Sequence, residues 1–426
     1  MGTEWLRDVV RRNRNSEAVG VFSVCSAHES VLESAMRQAL GSESRLLIES
    51  TSNQVNQFGG YTGMHPQDFR EYVHSIARRV GLQADRVLLG GDHLGPYPWR
   101  KEKNAAAMEK ACVLVRDCVL AGYGKIHLDA SMACADDPER LSDAVVAERA
   151  ARMCKAAEQA SAETQNTELV YVIGTEVPVP GGEQLENAGP VVTKVDDMRQ
   201  TLDVTHRAFI AHGLEAAWDR VIGLVVQPGV EFGDATVFDY ERAKARDLAS
   251  ALPSNPDLVY EAHSTDYQTN AGLRALVENH FAILKVGPWL TFAYREALFT
   301  LSAIEKELIH GVTLSRVREA LEDAMLRNPE HWQSYYGGSD EQKKFARMFS
   351  LSDRCRYYWP DPSVHREVDR LFHNLSHEIP LSLVSQYLPD QYDAVREGRI
   401  APRATELMDG HVADVLRKYQ QACEPT

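Results

Sequence analysis

The 426-residue sequence predicts an α/β fold, a (β/α)8 barrel with a helical C-terminal extension, and three observations carry that prediction. Short β-branched and apolar runs recur eight times in the first 300 residues. Segments with helical periodicity separate them. Beyond about residue 300 the strand-like runs stop.

In chain order the predicted strands are VGVFSVCS (19–26), RLLIES (45–50), RVLLGG (86–91), KIHLDAS (125–131), LVYVIGTE (169–176), VIGLVVQPG (221–229), LVYEAHS (258–264) and FAILKVG (281–287). Between the second and third, Phe69, Tyr72, Val73, Ile76 and Val80 fall on one helical face, with Pro66 marking the start and Gly81 the end. Met108, Ala111, Cys112, Val115 and Val119 mark the next helix, closed by Gly122. Strands that alternate with helices imply a parallel sheet, because a parallel pair needs a long crossover. Eight such units fit a closed barrel better than a doubly wound sheet, which carries fewer strands and a Gly-rich nucleotide turn. No G-x-G-x-x-G or G-x-x-x-x-G-K pattern occurs. The division expected is a barrel over 1–300 and helices over 301–426 packed on it, interrupted by NPEHWQSYYGGSD and YYWPDPS.

Composition narrows the function. Apolar residues at 44% and charged residues at 25% are those of a globular chain able to bury a large core. A formal charge of −15, without a long basic run, disfavours nucleic acid and anionic membranes as partners. Seven scattered cysteines with no CxxC spacing argue against a disulfide framework and a zinc ribbon, so a reducing cytoplasm is the expected compartment. The N-terminus lacks a signal-peptide pattern, and no run of about 18 apolar residues predicts a membrane span.

In a (β/α)8 barrel the C-terminal strand ends converge on one mouth. Here those ends are polar. The second strand runs into Glu49 and Asn53, the third into Asp92 and His93, the fourth into Asp129 and Ser131, and the fifth into Glu176. The sixth ends at Gln227, with Glu231 beyond, the seventh at His263, Ser264 and Asp266, and the eighth contains Lys285. His93, Glu176 and His263, with an oxygen from Gln227 or Glu231, make a nitrogen and oxygen shell suited to Zn²⁺, Mn²⁺ or a similar divalent ion. Asp92, Glu49 and Asp129 are the candidates for proton transfer, and Asn53, Ser131, Ser264, Asp266 and Lys285 for substrate contact. His127, inside a strand, reads as structural. Within SLSDRCRYYWP (350–360), Arg354 and Arg356 read either as an arginine-aromatic packing patch or as a clamp over the mouth for a sugar phosphate.

These stretches resemble the Z-subunit family of D-tagatose-1,6-bisphosphate aldolase, within the wider class II aldolase barrels. The similarity runs nearly end to end, through VCSAH (24–28), STSNQVNQFGGYTGM (50–64), GGDHLGP (90–96), KIHLDASMACADDP, YVIGTEVPVPGGE, VVQPGVEF, YEAHSTDYQT, ILKVGP and VSQYLP (384–389). It implies a TIM barrel, a role in ketose or galactitol-type sugar catabolism, a divalent metal, and assembly with a catalytic Y subunit. It also implies that Asp92 and His93 resemble the aldolases' proton shuttle and metal ligand, and that Glu176, with Glu183 on its loop, and His263 resemble further ligand positions. Two departures stand out. The aldolases' sixth-strand histidine is replaced by Gln227 or Glu231, and their Gly/Ser-rich phosphate loop by the bulkier HSTDY. Three functions remain open: a subunit of the aldolase system, a stand-alone metal-dependent ketose or ketose 6-phosphate 4-epimerase, and a non-catalytic stabiliser of the Y subunit.

Overall fold

In a computed structural model, residues 2–164, 168–174, 189–252 and 255–425 are described. All eight predicted strands form, as β1 (Val21–Val24), β2 (Leu46–Thr51), β3 (Val87–Leu94), β4 (Lys125–Leu128), β5 (Val170–Ile173), β6 (Val221–Val225), β9 (Val259–Ala262) and β10 (Phe281–Val286). They close into a parallel barrel in chain order, β10 returning to pair with β1. A short antiparallel hairpin, β7 (Glu231–Phe232) with β8 (Val237–Phe238), is inserted after β6 and was not legible as strands in the sequence.

The helix predicted after the second strand spans Pro66–Val80 and stops at Gly81, whose φ of 83° is the left-handed end that glycine accepts without a Cβ penalty. Beyond β10 the helix Pro288–Leu308 completes the eighth unit and runs through the 300/301 boundary. The following residues form helices, including Val317–Arg327, Asp340–Phe349 and Pro362–Asn374. The terminal helix Ala404–Cys423 returns to the barrel and packs against the helices Glu29–Leu40, Asn270–Glu278 and Pro288–Leu308.

Strand alternation sorts the barrel interior into layers. At the N-terminal end, Val21, Leu47, Leu88, Val170, Ile222, Val259 and Ile283 form an apolar floor, stoppered by Leu6 and Val10 of the helix Glu4–Arg14. Two residues further along the strands the inward positions become Ser23, Glu49, Gly90, Lys125 and Glu261, with Lys285 beside them. The polar layers therefore begin inside the barrel, below its rim.

Candidate active site at the barrel mouth

Glu49, Lys125 and Glu261 are fully buried, and each charge meets its opposite. Lys125 Nζ lies 2.7 Å from Glu49 Oε1 and 2.8 Å from Glu261 Oε2. Lys285 pairs with the other oxygen of Glu49 and lies 3.0 Å from Asp92 Oδ1. Ser23 Oγ donates to Glu49 at 2.5 Å. Gly90 makes room for this lattice: a Cβ there would lie 2.7 Å from Glu49 Oε1 and 2.9 Å from its Cγ.

One residue pair departs from the alternation. Asp92 and His93 are neighbours, so a regular strand would send them to opposite faces. The pairing of β3 with β4 shifts between Gly91 and Leu94, and His93 has a φ of +47°. This bulge turns both side chains toward the mouth. In the loop after β9, Ser264 has a φ of +53° and Tyr267 one of +65°, so with His93 three described non-glycine residues at these two strand ends take sparsely populated backbone conformations.

His93 and His263, 170 residues apart, face each other with Nε2 and Nδ1 3.2 Å apart. Each ring is held from behind by a carboxylate. Asp129 Oδ2 lies 2.8 Å from His93 Nδ1, and Glu261 Oε1 lies 2.9 Å from His263 Nε2. His127 completes a triangle, its ring centroid 5.3 Å from that of His93 and 5.2 Å from that of His263. Its Nδ1 lies 3.0 Å from Asp92 Oδ1, with the His93 amide at 3.2 Å, and its buried Nε2 meets no partner among the described residues. Among those residues, one donor atom each from Asp92, His127, Glu261 and His263 also lie within 4.8 Å of one another.

The local fields follow from these contacts. Burial alone would raise the Asp92 pKa, but Lys285 and His93 outweigh it and hold the carboxyl well below its usual range. Burial would likewise lower Lys285, yet Asp92, Cys25, Glu49 and Glu261 drive it well above the ordinary lysine value. Burial and the His93 hydrogen bond act oppositely on Asp129, and the hydrogen bond wins, bringing it to about 2. Burial pushes His263 down to about 4, whereas Asp92 and Asp129 overcome the burial of His93 and raise it. Burial raises Asp266 to about 6, although its Oδ1 accepts from the Gly287 and Trp289 amides.

A cavity of about 130 Å³ opens on these groups. Of the expected site residues, Asn53, Asp92, His93 and His263 line it, as do Ser264, Asp266, Lys285 and Arg356. Glu49 lies beneath it and acts on it through Lys285. Besides Glu49, five expected residues among those described do not line the cavity. Asp129 sits behind His93 rather than on the cavity, and Ser131 only buttresses it, donating from Oγ at 2.7 Å. Gln227 spends its side-chain oxygen on the Gly229 and Val230 amides, closing its own turn. Arg354 does not reach the mouth; it lines a separate outer cleft, while Arg356 alone faces the cavity. Glu231, buried after β6, accepts from the Phe232 amide through Oε1. Glu176 and Glu183 lie outside the described residues.

Three groups at the centre escaped sequence reasoning: Lys125, Glu261 and the role of His127. Their signal was present as same-face alternation, Lys-x-His-x-Asp over 125–129 and Glu-x-His over 261–263.

The whole-chain similarity agrees with this architecture. A family model described as D-tagatose-1,6-bisphosphate aldolase subunit GatZ/KbaZ-like matches residues 6–424. A protein of Klebsiella pneumoniae named D-tagatose-1,6-bisphosphate aldolase subunit GatZ is 50% identical over 419 residues, 98% of this chain and 99% of that one. A Salmonella agona protein of the same name is 50% identical over 99% of both chains. A crystal structure from Sinorhizobium meliloti 1021, described as a probable tagatose 6 phosphate kinase, superposes with a TM-score of 0.88 at 45% identity, covering 95% of this chain and all of that one. This chain therefore belongs to the D-tagatose-1,6-bisphosphate aldolase subunit GatZ/KbaZ-like family.

Proposed function

We propose that the chain is a subunit of a D-tagatose-1,6-bisphosphate aldolase system whose barrel mouth holds a divalent ion on His93, His127 and His263. The observation that carries this reading is the set of three carboxylate-histidine pairs. In the His93 and His263 pairs the carboxylate accepts from one ring nitrogen, leaving the other as a lone pair, whereas His127 Nδ1 also accepts from the His93 amide. Two such lone pairs repel at the 3.2 Å separating His93 Nε2 from His263 Nδ1 unless a proton or a metal cation lies between them, and a divalent ion can take the place of that proton. Once it gives up its hydrogen, the unpartnered His127 Nε2 supplies a third donor. Imidazole donors suit Zn²⁺, with Mn²⁺ a weaker match, and Glu176 is the candidate fourth ligand.

Such an ion supplies positive charge that polarises the ketose carbonyl. The remaining work falls to the chain. Asp92 has an oxygen on the cavity and takes the proton of the C4 hydroxyl as the C3–C4 bond breaks, the bonding electron pair passing to the C2 carbonyl. Lys285 remains an ammonium beside it, so it holds the anionic oxygens of substrate and forms no Schiff base. Asn53 and Ser264 face the sugar hydroxyls.

A second reading, a stand-alone ketose 4-epimerase, is favoured by one feature: acid-base groups, imidazoles and cavity all come from a single chain. Re-addition after rotation of the aldehyde fragment would invert C4. A purely stabilising role needs none of the buried charges, whose desolvation is costly. Seven unpaired cysteines suit a reducing compartment, and no helix among the described residues is long and apolar enough to cross a membrane.

The test is to load the purified chain with Zn²⁺ and follow tagatose 1,6-bisphosphate by NMR, alone and with a Y-type subunit. Cleavage that needs both chains and falls at least a hundredfold in Asp92→Asn supports the subunit reading. C4 inversion by the chain alone supports the second. Full activity of Asp92→Asn in the assembly contradicts both.

A further inference from the structure

The loop after β1 brings one more polar side chain to the mouth. His28, the residue before the helix Glu29–Leu40, lines the cavity. Two aromatic neighbours fix its ring: the centroid lies 4.3 Å from that of Tyr294, in the helix Pro288–Leu308, and 6.5 Å, edge-on, from that of Trp359. His28 holds an N-cap position, where a Ser, Thr, Asp or Asn side chain would accept from a helix amide, yet its imidazole caps nothing. Capping therefore does not explain a histidine here.

The two ring nitrogens differ in their surroundings. Nδ1 is shut off from solvent and has no hydrogen-bond partner among the described residues. Nε2 also bonds to none of them but is not shut off, and the ring's open edge is the one that lines the cavity. Burial pushes the His28 pKa down to about 4, so near neutral pH the ring carries one hydrogen. Placed on Nδ1, that hydrogen would be a sealed donor with no acceptor; placed on Nε2, it meets whatever fills the cavity. His28 thus presents an uncharged N–H whose direction is preset by aromatic packing. Such a donor suits an uncharged oxygen, whereas phosphate is matched by cationic forks.

We propose that His28 is a substrate-binding residue, its Nε2–H donating to a hydroxyl or carbonyl oxygen of the sugar held in the mouth cavity. The proposal rests on the ketose reading above and adds to it recognition of the uncharged body of the sugar from the β1 loop.

The test uses the full chain loaded with Zn²⁺ and labelled with ¹⁵N in its histidines. In NMR spectra the His28 signal is the one missing from His28→Gln. It should show the hydrogen on Nε2 and shift when tagatose is added; a hydrogen on Nδ1 overturns the inference before any sugar is present, and this readout needs no folded Phe variant. Calorimetry with tagatose and with tagatose 1,6-bisphosphate supplies the second readout. His28→Phe keeps a ring against Tyr294 and Trp359 but has no donor, and should weaken both ligands by the same factor, about fivefold. His28→Gln returns an N–H and should recover part of the loss. A loss confined to the bisphosphate places the contact on a phosphate and overturns the inference, as does unchanged affinity for both ligands in His28→Phe. A wild type that binds neither ligand overturns the ketose reading and this inference together, whereas the other outcomes leave that reading standing.

Discussion

The two ends of the barrel are built from the same strands and obey opposite rules. At the floor, the inward residues are Val21, Leu47, Leu88, Val170, Ile222, Val259 and Ile283, sealed by Leu6 and Val10. Two positions along, the interior holds the Glu49, Lys125, Glu261 and Lys285 lattice, and above it three histidines. The floor gains stability from apolar burial and shape. The mouth gains position: ions buried at a desolvation cost hold His93 and His263, the rings that line the cavity, with His127 behind them. Stability and chemistry are thus separated by one turn of strand alternation.

Breaking the lattice should have the largest effect. Glu49→Gln leaves Lys125 and Lys285 each short of a buried counter-charge and should cost about 3–5 kcal/mol, measured by urea unfolding. Replacing Glu49 and Lys125 together by Gln and Met should cost less than Glu49→Gln alone, since fewer unpaired charges remain. The floor should respond differently. Leu47→Ala should cost about 2–4 kcal/mol through the cavity it opens, with turnover of the surviving folded protein within about twofold of wild type. A Leu47→Ala protein as inactive as an Asp92 variant would erase the distinction between the ends.

How legible this was in the sequence differs between the same two regions. The strands were readable because each is a short apolar run bounded by turn residues, and the apolar floor is what such a run encodes. Glu49, Asp92, His93 and His263 were readable because they stand at strand ends, where the barrel brings distant residues together. Lys125, His127 and Glu261 were not, because a charge inside a strand is paired only through three-dimensional neighbours, and Lys125 meets its partners 76 residues away and across the barrel. The bulge that aims both Asp92 and His93 inward is a register shift, which no local pattern announces. Gln227 was misplaced for a related reason: the amides of its own turn, two and three residues on, capture its side chain first.

A smaller effect sharpens the contrast from outside the barrel. Asp409, in the terminal helix, is half-buried against Ser34 with Glu33 and Arg37 nearby, and its partial burial raises its pKa to about 6. The folded state therefore binds this proton more tightly than the unfolded chain. Its contribution to stability is complete below about pH 4 and is lost as pH rises through about 6. Asp409→Asn should raise stability at pH 8 by about 1–2 kcal/mol and flatten the profile between those values, read by thermal melts across pH. The paired charges inside the barrel should show no such gain on neutralisation.

The central claim is that three rings anchored by Asp129, Asp92 and Glu261 converge on one ion. Metal content of the purified chain, with His93→Ala and His263→Ala beside it, tests this most directly. One equivalent of divalent metal in the wild type, lost from each folded variant, is the predicted result. A wild-type chain that takes up no metal, or variants that keep a full equivalent, would contradict it.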